Sequence, residues 1–544
     1  MSIAVERPWT KMYGSTVDPD LRAPRETTLD LFDASVTSAP GHPSLHYFGK
    51  TLSRQEVSAL SIQFAHVFAN EGVGSGDRVA ISLQNTPVFV LAVLGAWRLG
   101  AVVVPINPML RSGELEPMLR DSRAKLMLAH PEMRQVIEAV KTQLPQPLVS
   151  LWSHPEELSG GMPLPFTSLD LDFDESVLDK ARTKSTAPGV WRTSSSTDIA
   201  LLTYTSGTTG PSKGAMNTHA NLGYHVVSYA QWFGLTDKDS VLAMAPLFHI
   251  TGLGAHLALA LGKGFPLVLT HRFEPKTVLG LIEKYEPAFT IGAITAFIAL
   301  QESSREAVPL ARMRTVFSGG APVPASIVER YEELTGTYIH NMYGLTESTS
   351  ACIGVPRGRR APVHEASGAL SIGVPMSGVQ VTIVGEDGKP APRGVEGEMV
   401  IEGPQVCAGY WEKAAETAHA FAADGLHTGD VGIMDEDGWI YVVDRMKDLV
   451  VVSGYKVWPR DVEDALYLHP AVREVAVVGK PDPYRGETLH AYLSLRANTT
   501  ATVEELKAVC RDRLSAYKCP TEFHFVEDLP KTATGKILRR TLRG

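Results

Sequence analysis

Residues 203–214 read Thr-Tyr-Thr-Ser-Gly-Thr-Thr-Gly-Pro-Ser-Lys-Gly, and this stretch carries more information about the chain than any other. It follows Ile199 to Thr203, an apolar segment that predicts a buried strand. Its glycines free backbone N–H groups to surround an anion, its hydroxyls add donors, and Lys213 adds positive charge. It is not a Walker A loop, because Ser212 and not glycine precedes the lysine. The stretch predicts a phosphate-binding loop, although a flexible surface linker has a similar composition.

The segments on either side of this loop predict a parallel sheet covered by helices. Asp77 to Leu83 is typical of a buried strand, and Thr86 with Pro87 is typical of a helix start. Ala101 to Ile106 predicts the next strand, so the three segments form a β-α-β unit.

The same alternation recurs after residue 270, and two of the later strands end in glycine. We expect helices at 275–285 and 325–334 and strands at 288–291, 315–318 and 338–343. Ligands of open α/β sheets bind beyond the carboxyl ends of strands, and glycine there admits a ligand close to the backbone. Ser318-Gly319-Gly320 and Tyr343-Gly344 therefore predict the walls of a binding site.

Composition limits the classes of protein that the chain can be. A length of 544 residues implies two or more domains, and a net charge of -9 argues against nucleic acid as a main partner. Four scattered cysteines without a C-x-x-C pair argue against a disulfide framework or a zinc site, and favour the cytoplasm. The N-terminus lacks the apolar core of a signal peptide. The apolar stretch from Val88 to Ile106 is interrupted by Arg98 and Pro105, which favours buried α/β structure over a membrane span.

A second, smaller unit is expected after Asp444-Arg445-Met446-Lys447-Asp448. The pattern there becomes a strand, a helix near 460–468, strands near 473–479 and 487–495, and a helix near 503–515. This order predicts a small α+β domain.

The loop at 203–214 closely resembles the phosphate loop of the adenylate-forming superfamily, which contains acyl-CoA synthetases, peptide-synthetase adenylation domains and firefly luciferases. Other signatures of that superfamily follow in order along almost the whole chain: PLFHITGL (246–253), FSGGAPVP (317–324), NMYGLTEST (341–349), GPQVCAGYW (403–411), GLHTGD (425–430), VDRMKD (443–448), SGYKVWPRDVE (453–463) and PKTATGKILRR (530–540). The last part, from Gly425 onward, is especially similar to bacterial long-chain fatty-acid CoA ligases.

The resemblance implies an α/β fold with two domains. Residues 1–445 would form a large adenylation domain of layered, parallel-rich sheets with helices and a small barrel-like β subdomain. Residues 446–544 would form a small mobile α+β domain, with the hinge near Lys447. The resemblance also implies an enzyme, an AMP-forming acid–thiol ligase. It would convert a carboxylic acid and ATP to acyl-adenylate and pyrophosphate, and then convert the adenylate and coenzyme A to acyl-CoA and AMP.

The resemblance implies a nucleotide site that is built from several motifs. Glu347 would bind Mg²⁺, which favours oxygen ligands, and Thr346 would contact the α-phosphate. Tyr343 would stack on adenine, and Asp430 would accept hydrogen bonds from the ribose. Taken without the motifs, Glu347 and Asp430 would be ordinary turn residues. The predicted nucleotide- and CoA-binding residues are Thr205, Ser206, Gly207, Thr208, Thr209, Lys213, Gly320, Ala321, Pro322, Asn341, Met342, Tyr343, Gly344, Asp430, Arg445, Ser453, Gly454 and Tyr455.

Two further residues would act on the acyl group. Lys536 would reach the acyl carboxylate and the α-phosphate, although a lysine outside such a motif is ordinarily surface charge. His249 would form a gate and a wall of the acyl pocket, and a core histidine fits its surroundings equally well. For the second half-reaction, the resemblance implies that the small domain rotates. Residues 453–455 would then replace Lys536, with Gly454 beside the pantetheine tunnel.

The substrate stays open between several classes of acid. Amino-acid-activating domains carry aspartate where this chain has His249, and the stretches 250–253, 292–297 and 319–320 lack charge. A medium- or long-chain fatty acid is the first expectation, and a bulky alicyclic or aryl-alkanoic acid is the second. Transfer to a carrier protein, a luciferase-like oxygenase and a non-catalytic nucleotide-binding module are the rival classes. We expect a cytoplasmic enzyme without a transmembrane segment. Weak membrane association and a homodimer stay open.

Overall fold

A computed structural model describes residues 7–165, 176–189, 191, 194–205, 212–304, 308–365, 368–445, 448–453, 455–532 and 535–543. Its strands before residue 446 are β1 Pro43–Tyr47, β2 Lys50–Ser53, β3 Arg78–Ser82, β4 Val102–Pro105, β5 Leu126–Ala129, β6 Val149–Trp152, β7 Ile199–Tyr204, β8 Gly214–Thr218, β9 Val241–Ala243, β10 Leu267–Leu269, β11 Phe289–Gly292, β12 Thr315–Gly319, β13 Ile339–Leu345, β14 Ser350–Gly354, β15 Val374–Pro375, β16 Gln380–Val384, β17 Gly397–Glu402, β18 Phe421–Ala422, β19 Gly425–Met434 and β20 Ile440–Arg445.

The helices of this part are α1 Thr28–Ser38, α2 Arg54–Asn70, α3 Pro87–Arg98, α4 Ser112–Ser122, α5 Arg134–Lys141, α6 Val177–Arg182, α7 His219–Trp232, α8 Leu259–Lys263, α9 Pro275–Tyr285, α10 Ile294–Ser303, α11 Val308–Ala311, α12 Ala325–Thr335 and α13 Ala414–Ala420, with a π-helix at Gly252–Ala258 and 3₁₀ turns at Pro8–Met12 and Pro131–Met133. The later elements are β21 Val450–Val452, β22 Tyr455–Val457, α14 Pro459–Tyr467, β23 Val472–Asp482, β24 Gly486–Leu495, α15 Val503–Arg513, a 3₁₀ turn Ala516–Lys518, β25 Glu522–Phe525 and α16 Arg539–Arg543.

The predicted β-α-β unit is the centre of a six-stranded sheet with the order β6-β5-β3-β4-β7-β8. Thr86 caps α3 by accepting a hydrogen bond from the backbone N–H of Phe89, and Pro87 follows as the first helical residue. Every residue of α3 from Pro87 to Trp97 is buried. This explains why the stretch is apolar throughout and does not show the alternation of apolar and polar residues that is typical of a surface helix. Among the described residues, no helix combines the length and the hydropathy that a membrane crossing needs.

A nine-stranded sheet brings the later motifs to one edge. Strands β9 to β13 pair in parallel, and β14 closes back on β13 antiparallel. Because Gly319 pairs with Met342 across β12 and β13, residues 318–320 and 343–347 follow the same carboxyl edge. The sequence predicted the bounds of α9 as they stand, and those of α12, β11, β12 and β13 to within two residues.

The third sheet of the large part is antiparallel and matches the expected barrel-like subdomain. It has the order β16-β17-β19-β18, with β20 also paired to β19. The backbone N–H of Ile372 donates to the carbonyl of Ile440, 2.9 Å away, which joins this sheet to the residues just before β15 of the nine-stranded sheet.

Residues after Asp448 have their own sheet and core. The order is β22-β21-β24-β23, with β25 parallel to β24, and the core contains Val457, Val477, Leu493 and Leu506. The predicted α+β pattern is confirmed here, since every expected helix and strand is present. The architecture as a whole is an α/β fold with parallel-rich layers, a barrel-like β sheet and a small α+β C-terminal part.

Candidate active site

The predicted phosphate loop connects two antiparallel strands at the edge of the six-stranded sheet. Strand β7 ends at Tyr204, which pairs with Gly214 at the start of β8. The backbone N–H of Thr205 donates to the carbonyl of Lys213 across 2.9 Å and closes the base of the loop. The predicted residues Ser206, Gly207, Thr208 and Thr209 lie outside the described residues. The base of the loop therefore fixes where Lys213 stands.

Lys213 is joined to Glu347 through an aromatic ring. Its ammonium lies 4.6 Å from the centroid of the Tyr410 ring, a cation–π distance. The Tyr410 hydroxyl donates to Oε1 of Glu347 across 2.6 Å. Desolvation and the adjacent Glu347 carboxylate both raise the pKa of Tyr410, so the phenol stays protonated and remains a donor. Loop, ring and carboxylate form one connected unit.

Tyr410 reaches this place because residues 408–411 pair with β8. The backbone N–H of Trp411 donates to the carbonyl of Gly214, and the N–H of Met216 donates to that of Gly409. The tyrosine thus sits on an extension of the sheet that also holds Lys213. Sequence reasoning gave this residue no role, although it quoted the motif that contains it.

The turn that presents Thr346 and Glu347 is held from both sides. Asn217 on β8 donates from Nδ2 to the carbonyl of Thr346 at 3.0 Å and to Oγ1 of Thr349 at 2.9 Å. The backbone N–H of Cys407 donates to the carbonyl of Glu347 at 2.8 Å. Thr349 has φ of +51°, in the left-handed region that costs a β-branched residue energy. The turn is therefore fixed by its neighbours.

Tyr343 and Asp430 meet on the other side of this edge. The Tyr343 hydroxyl donates to Oδ2 of Asp430 across 2.6 Å, and the aspartate is only 4% exposed. Desolvation, reinforced by the adjacent carboxylate, raises the pKa of Tyr343 far above its usual value. The backbone N–H of Asp430 donates to Thr428 Oγ1 at 3.1 Å, and Asp430 pairs with Arg445 between β19 and β20. The residues predicted for adenine and ribose are neighbours.

The glycines after β12 leave room for Lys536. Gly320 has φ of +80°, and a Cβ built there would lie 2.9 Å from Cε and 3.3 Å from Nζ of Lys536. The positive φ favours glycine, and a side chain at this position would displace the end of the lysine side chain. Ala321 follows half-buried and Pro322 exposed, next to the same strand end.

Lys536 stands on a tight turn that docks against α10. The Thr295 hydroxyl donates to the carbonyl of Gly535 across 3.1 Å. Gly535 has φ of +82°, and a Cβ there would lie 2.8 Å from Thr295 Oγ1, so the contact is close. Thr532 braces the turn, because its Oγ1 accepts from the Lys536 N–H at 3.1 Å. Thr295, which sequence reasoning also missed, positions the predicted catalytic lysine.

His249 lies in the bend after β9, near Lys536. Burial, with a further contribution from the Lys536 charge, lowers the pKa of His249 to about 3, so the ring is neutral at ordinary pH. Its Nδ1 accepts from the backbone N–H of Thr251 at 3.3 Å. The π-helix at Gly252–Ala258 follows directly, and such irregular turns are frequent at functional sites. A neutral ring can shape a pocket but cannot offer an acyl carboxylate positive charge.

Three predicted nucleotide-binding residues of β13 also have packing roles. Asn341 donates from Nδ2 to the carbonyl of Ser371 at 3.1 Å. The Met342 side chain is 2% exposed in the main core. A Cβ on Gly344 would lie 2.1 Å from the carbonyl of Ser350, so the pairing of β13 with β14 requires glycine.

The residues predicted for the second half-reaction stand on a separate hairpin. The backbone N–H of Ser453 donates to the carbonyl of Arg485 at 2.8 Å. Tyr455 is 57% exposed and stacks on Tyr517 with ring centroids 4.6 Å apart. Gly454 and the predicted hinge residue Lys447 lie outside the described residues. The structure thus brings Lys536 to the strand ends, whereas Tyr455 packs against a residue of its own part of the chain.

The site as a whole fits a nucleotide with a divalent cation. The Glu347 carboxylate is half-buried and oriented by one hydroxyl, and carboxylate oxygen is the ligand type that Mg²⁺ takes while it keeps several waters. Lys213 and Lys536 supply positive charge, and the Asp430 carboxylate accepts a hydrogen bond from Tyr343. The residues predicted to contact the phosphates thus include two lysines, and the residues predicted for adenine and ribose form a hydrogen-bonded pair.

Comparison with known proteins agrees with this geometry. The family model "AMP-binding enzyme" matches residues 32–411, and the model "AMP-binding enzyme C-terminal domain" matches residues 461–536. A long-chain-fatty-acid–CoA ligase of Bacillus subtilis is 33% identical and is aligned over 99% of this chain and 98% of its own. A feruloyl-CoA synthase of an Amycolatopsis species is also 33% identical, over 93% of this chain and 96% of its own.

Solved structures show the same fold. The anthranilate CoA ligase AuaEII, crystallised in complex with anthranoyl-AMP, superimposes with a TM-score of 0.85. It is 28% identical, and the match covers 95% of this chain and 97% of that one.

Proposed function

This chain belongs to the AMP-binding enzyme family and is an acid–thiol ligase, and we propose that it joins a medium- or long-chain fatty acid to coenzyme A. ATP and coenzyme A are the co-substrates of such ligases. The finer proposal concerns the acid. It rests on one observation, the neutral ring of His249 beside stretches that contain no charged residue.

The acyl pocket proposed here has no counter-charge for an ammonium group. Stretches 250–253 and 292–297 contain no charged residue, and His249 beside them carries no charge at neutral pH, because its pKa is about 3. Gly292 is packed against apolar groups, since a Cβ there would lie 2.2 Å from Met244 Cε and 3.7 Å from the Phe297 ring. An amino acid would bring an unpaired charge into these surroundings at high cost, whereas an alkyl chain would not.

In the first half-reaction, a carboxylate oxygen of the acid attacks the α-phosphorus of ATP, and the bond to pyrophosphate breaks. We assign Lys536 to the negative charge that is shared by the carboxylate and the α-phosphate, because it stands where residues 318–320 and 343–347 converge. Thr346 and Lys213 would contact the phosphates, and Tyr343 with Asp430 would hold the adenosine.

Glu347 would hold Mg²⁺ in this proposal. Tyr410 donates to Oε1 of Glu347, and the ammonium of Lys213 lies against the ring of the same tyrosine. The ion would neutralise phosphate charge. The phosphate loop and Lys213 would orient the triphosphate beside this ion.

In the second half-reaction, the sulfur of coenzyme A attacks the acyl carbonyl carbon, the C–O bond to AMP breaks, and the thiol proton leaves. We propose that residues 446–544 turn about Lys447 between the steps, so that Ser453, Gly454 and Tyr455 take the place of Lys536. Support comes from their contacts, since Tyr455 stacks on Tyr517 whereas Lys536 lies next to Gly320.

A ring-bearing acid is the second candidate. The feruloyl-CoA synthase is as similar in identity as the fatty-acid ligase, and AuaEII acts on an aromatic acid. Transfer to a carrier protein in place of coenzyme A is the third.

A panel of acids tests the proposal. AMP release should be measured with each acid, ATP and coenzyme A, using dodecanoate, palmitate, ferulate, cyclohexane carboxylate and phenylalanine. We expect the highest kcat/KM for one of the two fatty acids. A higher value for ferulate or cyclohexane carboxylate would move the substrate to the second class, and a best value for phenylalanine would overturn the pocket assignment. A carrier-protein arm, in which a phosphopantetheinylated protein replaces coenzyme A, decides the acceptor.

A further inference from the structure

A cluster of two histidines and one glutamate lies on the small C-terminal sheet, outside every motif described above. His490 stands on β24, and Glu522 and His524 stand on the parallel edge strand β25. The register pairs His490 with Glu522 and Tyr492 with His524, so all four side chains project from one face. The alternate residues of β24, such as Ala491 and Leu493, fill the core on the other face.

The three potential ligand atoms are spaced as a metal ion would require. Nδ1 of His490 lies 3.2 Å from Nε2 of His524 and 3.6 Å from Oε2 of Glu522. Nε2 of His524 lies 3.3 Å from the same carboxylate oxygen. A tetrahedral ion with bonds of about 2.0–2.1 Å separates its ligand atoms by about 3.3 Å. The three ligand atoms are therefore spaced like three corners of a coordination tetrahedron.

The neighbouring side chains hold this geometry in place. The Tyr492 ring stacks on His524 with centroids 4.5 Å apart, and His490 stacks on His524 at 5.3 Å. The hydroxyls of Thr488 and Thr521 bond each other at 2.9 Å and join the same two strands next to the cluster. The nearby cation Lys480 is engaged elsewhere, since its ammonium donates to the carbonyl of Arg543 at 2.6 Å.

The cluster is open to solvent on one side. The side chain of His490 is 15% exposed, that of His524 is 36% exposed and that of Glu522 is 58% exposed. Water can therefore complete the coordination. Within the described ranges, this is the one group of three His, Cys, Asp or Glu side chains whose ligand atoms come this close together.

We propose that His490, Glu522 and His524 bind one first-row divalent transition ion, Zn²⁺ in the first place, with water as the fourth ligand. Two imidazole nitrogens and one carboxylate oxygen suit Zn²⁺, Co²⁺, Ni²⁺ and Cu²⁺. They do not suit Mg²⁺, which takes oxygen ligands, so the site is chemically distinct from Glu347. It lies on the small C-terminal sheet, and none of its three residues is among those assigned to the two half-reactions.

The test is a calorimetric titration with Zn²⁺ of the full chain, freed of affinity tag and treated with chelator, in excess Mg²⁺. We expect one equivalent to bind per chain. His490→Ala and His524→Ala should each weaken binding by at least about tenfold, since loss of a group that only hydrogen-bonds to a metal ligand already costs about 10–100-fold in affinity. Glu522→Gln keeps the shape of the side chain and should also weaken it. His419→Ala, which removes an exposed histidine on α13, should leave it unchanged.

A second measurement needs no variant. Co²⁺ bound to the native chain should give the intense visible absorption of a four-coordinate ion, and Zn²⁺ should displace it. Binding that is equally strong in the His490→Ala/His524→Ala double variant would place the ion elsewhere and overturn the proposal. Lack of any stoichiometric binding to the native chain would show that the cluster is only a packed pair of rings. Circular dichroism of each variant checks that it is folded.

Discussion

Replacing Tyr410 by phenylalanine separates the two functions of this ring. The change removes the hydroxyl that donates to Oε1 of Glu347 across 2.6 Å. It keeps the ring face on which the ammonium of Lys213 lies at 4.6 Å. If the carboxylate orients Mg²⁺ and ATP, the variant should fold normally but activate the acid slowly.

The expected size of the effect follows from the kind of bond that is lost. A hydrogen bond to a charged acceptor contributes about 1.5–3 kcal/mol. At about 1.4 kcal/mol per tenfold change, this corresponds to roughly 10- to 150-fold in rate or affinity. Loss of a group that hydrogen-bonds to a metal ligand costs about 10–100-fold, which is the same range. Since Glu347 is partly exposed, we expect the lower part of the range, about tenfold.

The assay is acid-dependent exchange of pyrophosphate into ATP, measured as a function of Mg²⁺ concentration. The Tyr410→Phe variant should need more Mg²⁺ for half-maximal exchange and should reach a lower maximum. Tyr441→Phe is the matched control, because its hydroxyl also donates to a carboxylate, that of Asp435 at 3.0 Å. That control should behave like the native chain.

Two results would refute the reasoning about Tyr410. Exchange at limiting Mg²⁺ equal to that of the native enzyme would mean that the hydroxyl does not orient a metal ligand. An equal loss in Tyr441→Phe would mean that removal of any such hydroxyl disturbs the fold. The double variant Tyr410→Phe/Glu347→Gln should be no worse than Glu347→Gln alone, because the hydroxyl acts through that carboxylate.

Three further predictions concern other contacts of the site. Thr295→Ala removes the hydrogen bond to Gly535 and should slow acyl-adenylate formation by about 2- to 10-fold, as loss of an ordinary hydrogen bond implies. Thr295→Ser keeps the hydroxyl and should retain the rate. In both variants, thioester formation from pre-made adenylate should be unchanged. Tyr343→Phe removes the hydroxyl that donates to Asp430 and should raise KM for ATP about tenfold with a smaller change in kcat, measured by initial rates. An unchanged KM would argue against a shared adenosine site. His249 has a pKa of about 3, so it stays neutral from about pH 6 to 8, and His249→Gln should leave the shape of the pH–rate profile unchanged there. The pKa of His249 is lower in the folded chain than in the unfolded chain, so below about pH 6.5 only the unfolded chain takes up this proton. The native enzyme should therefore lose stability relative to His249→Gln as the pH falls below about 6.5. Urea melts of both proteins at several pH values check this.

Local signals predicted the parallel part of the fold well. The β-α-β unit around α3 was readable because cap, proline and apolar runs are all within the segment itself. The barrel-like sheet was expected only from the resemblance, since β16 to β20 pair through connections that no local pattern encodes. The π-helix at Gly252–Ala258 gave no signal, because an apolar segment of this kind is equally compatible with a regular helix.

The sequence predicted which residues belong to the site better than it predicted the contacts between them. Motifs named Glu347 and Asp430, but their partners Tyr410 and Tyr343 are 63 and 87 residues away along the chain. Thr295 is 240 residues from the carbonyl that it binds, and nothing in its own segment marks it. Such pairs arise only when the sheets are assembled. The predicted roles of the individual residues, and the hinge at Lys447, stay predictions that half-reaction assays must decide.

The most direct measurement separates the two half-reactions in Lys536→Ala. Pyrophosphate exchange reports acyl-adenylate formation, and thioester formation from pre-made acyl-adenylate reports the second step alone. Loss of a preorganised donor of this kind costs about 10²–10³ in rate, so exchange should fall at least about a hundredfold while thioester formation stays within about twofold of native. Lys507→Ala, which removes a lysine from α15, should affect neither step. Equal loss of both half-reactions in Lys536→Ala would contradict the account, because one fixed site would then perform all of the chemistry.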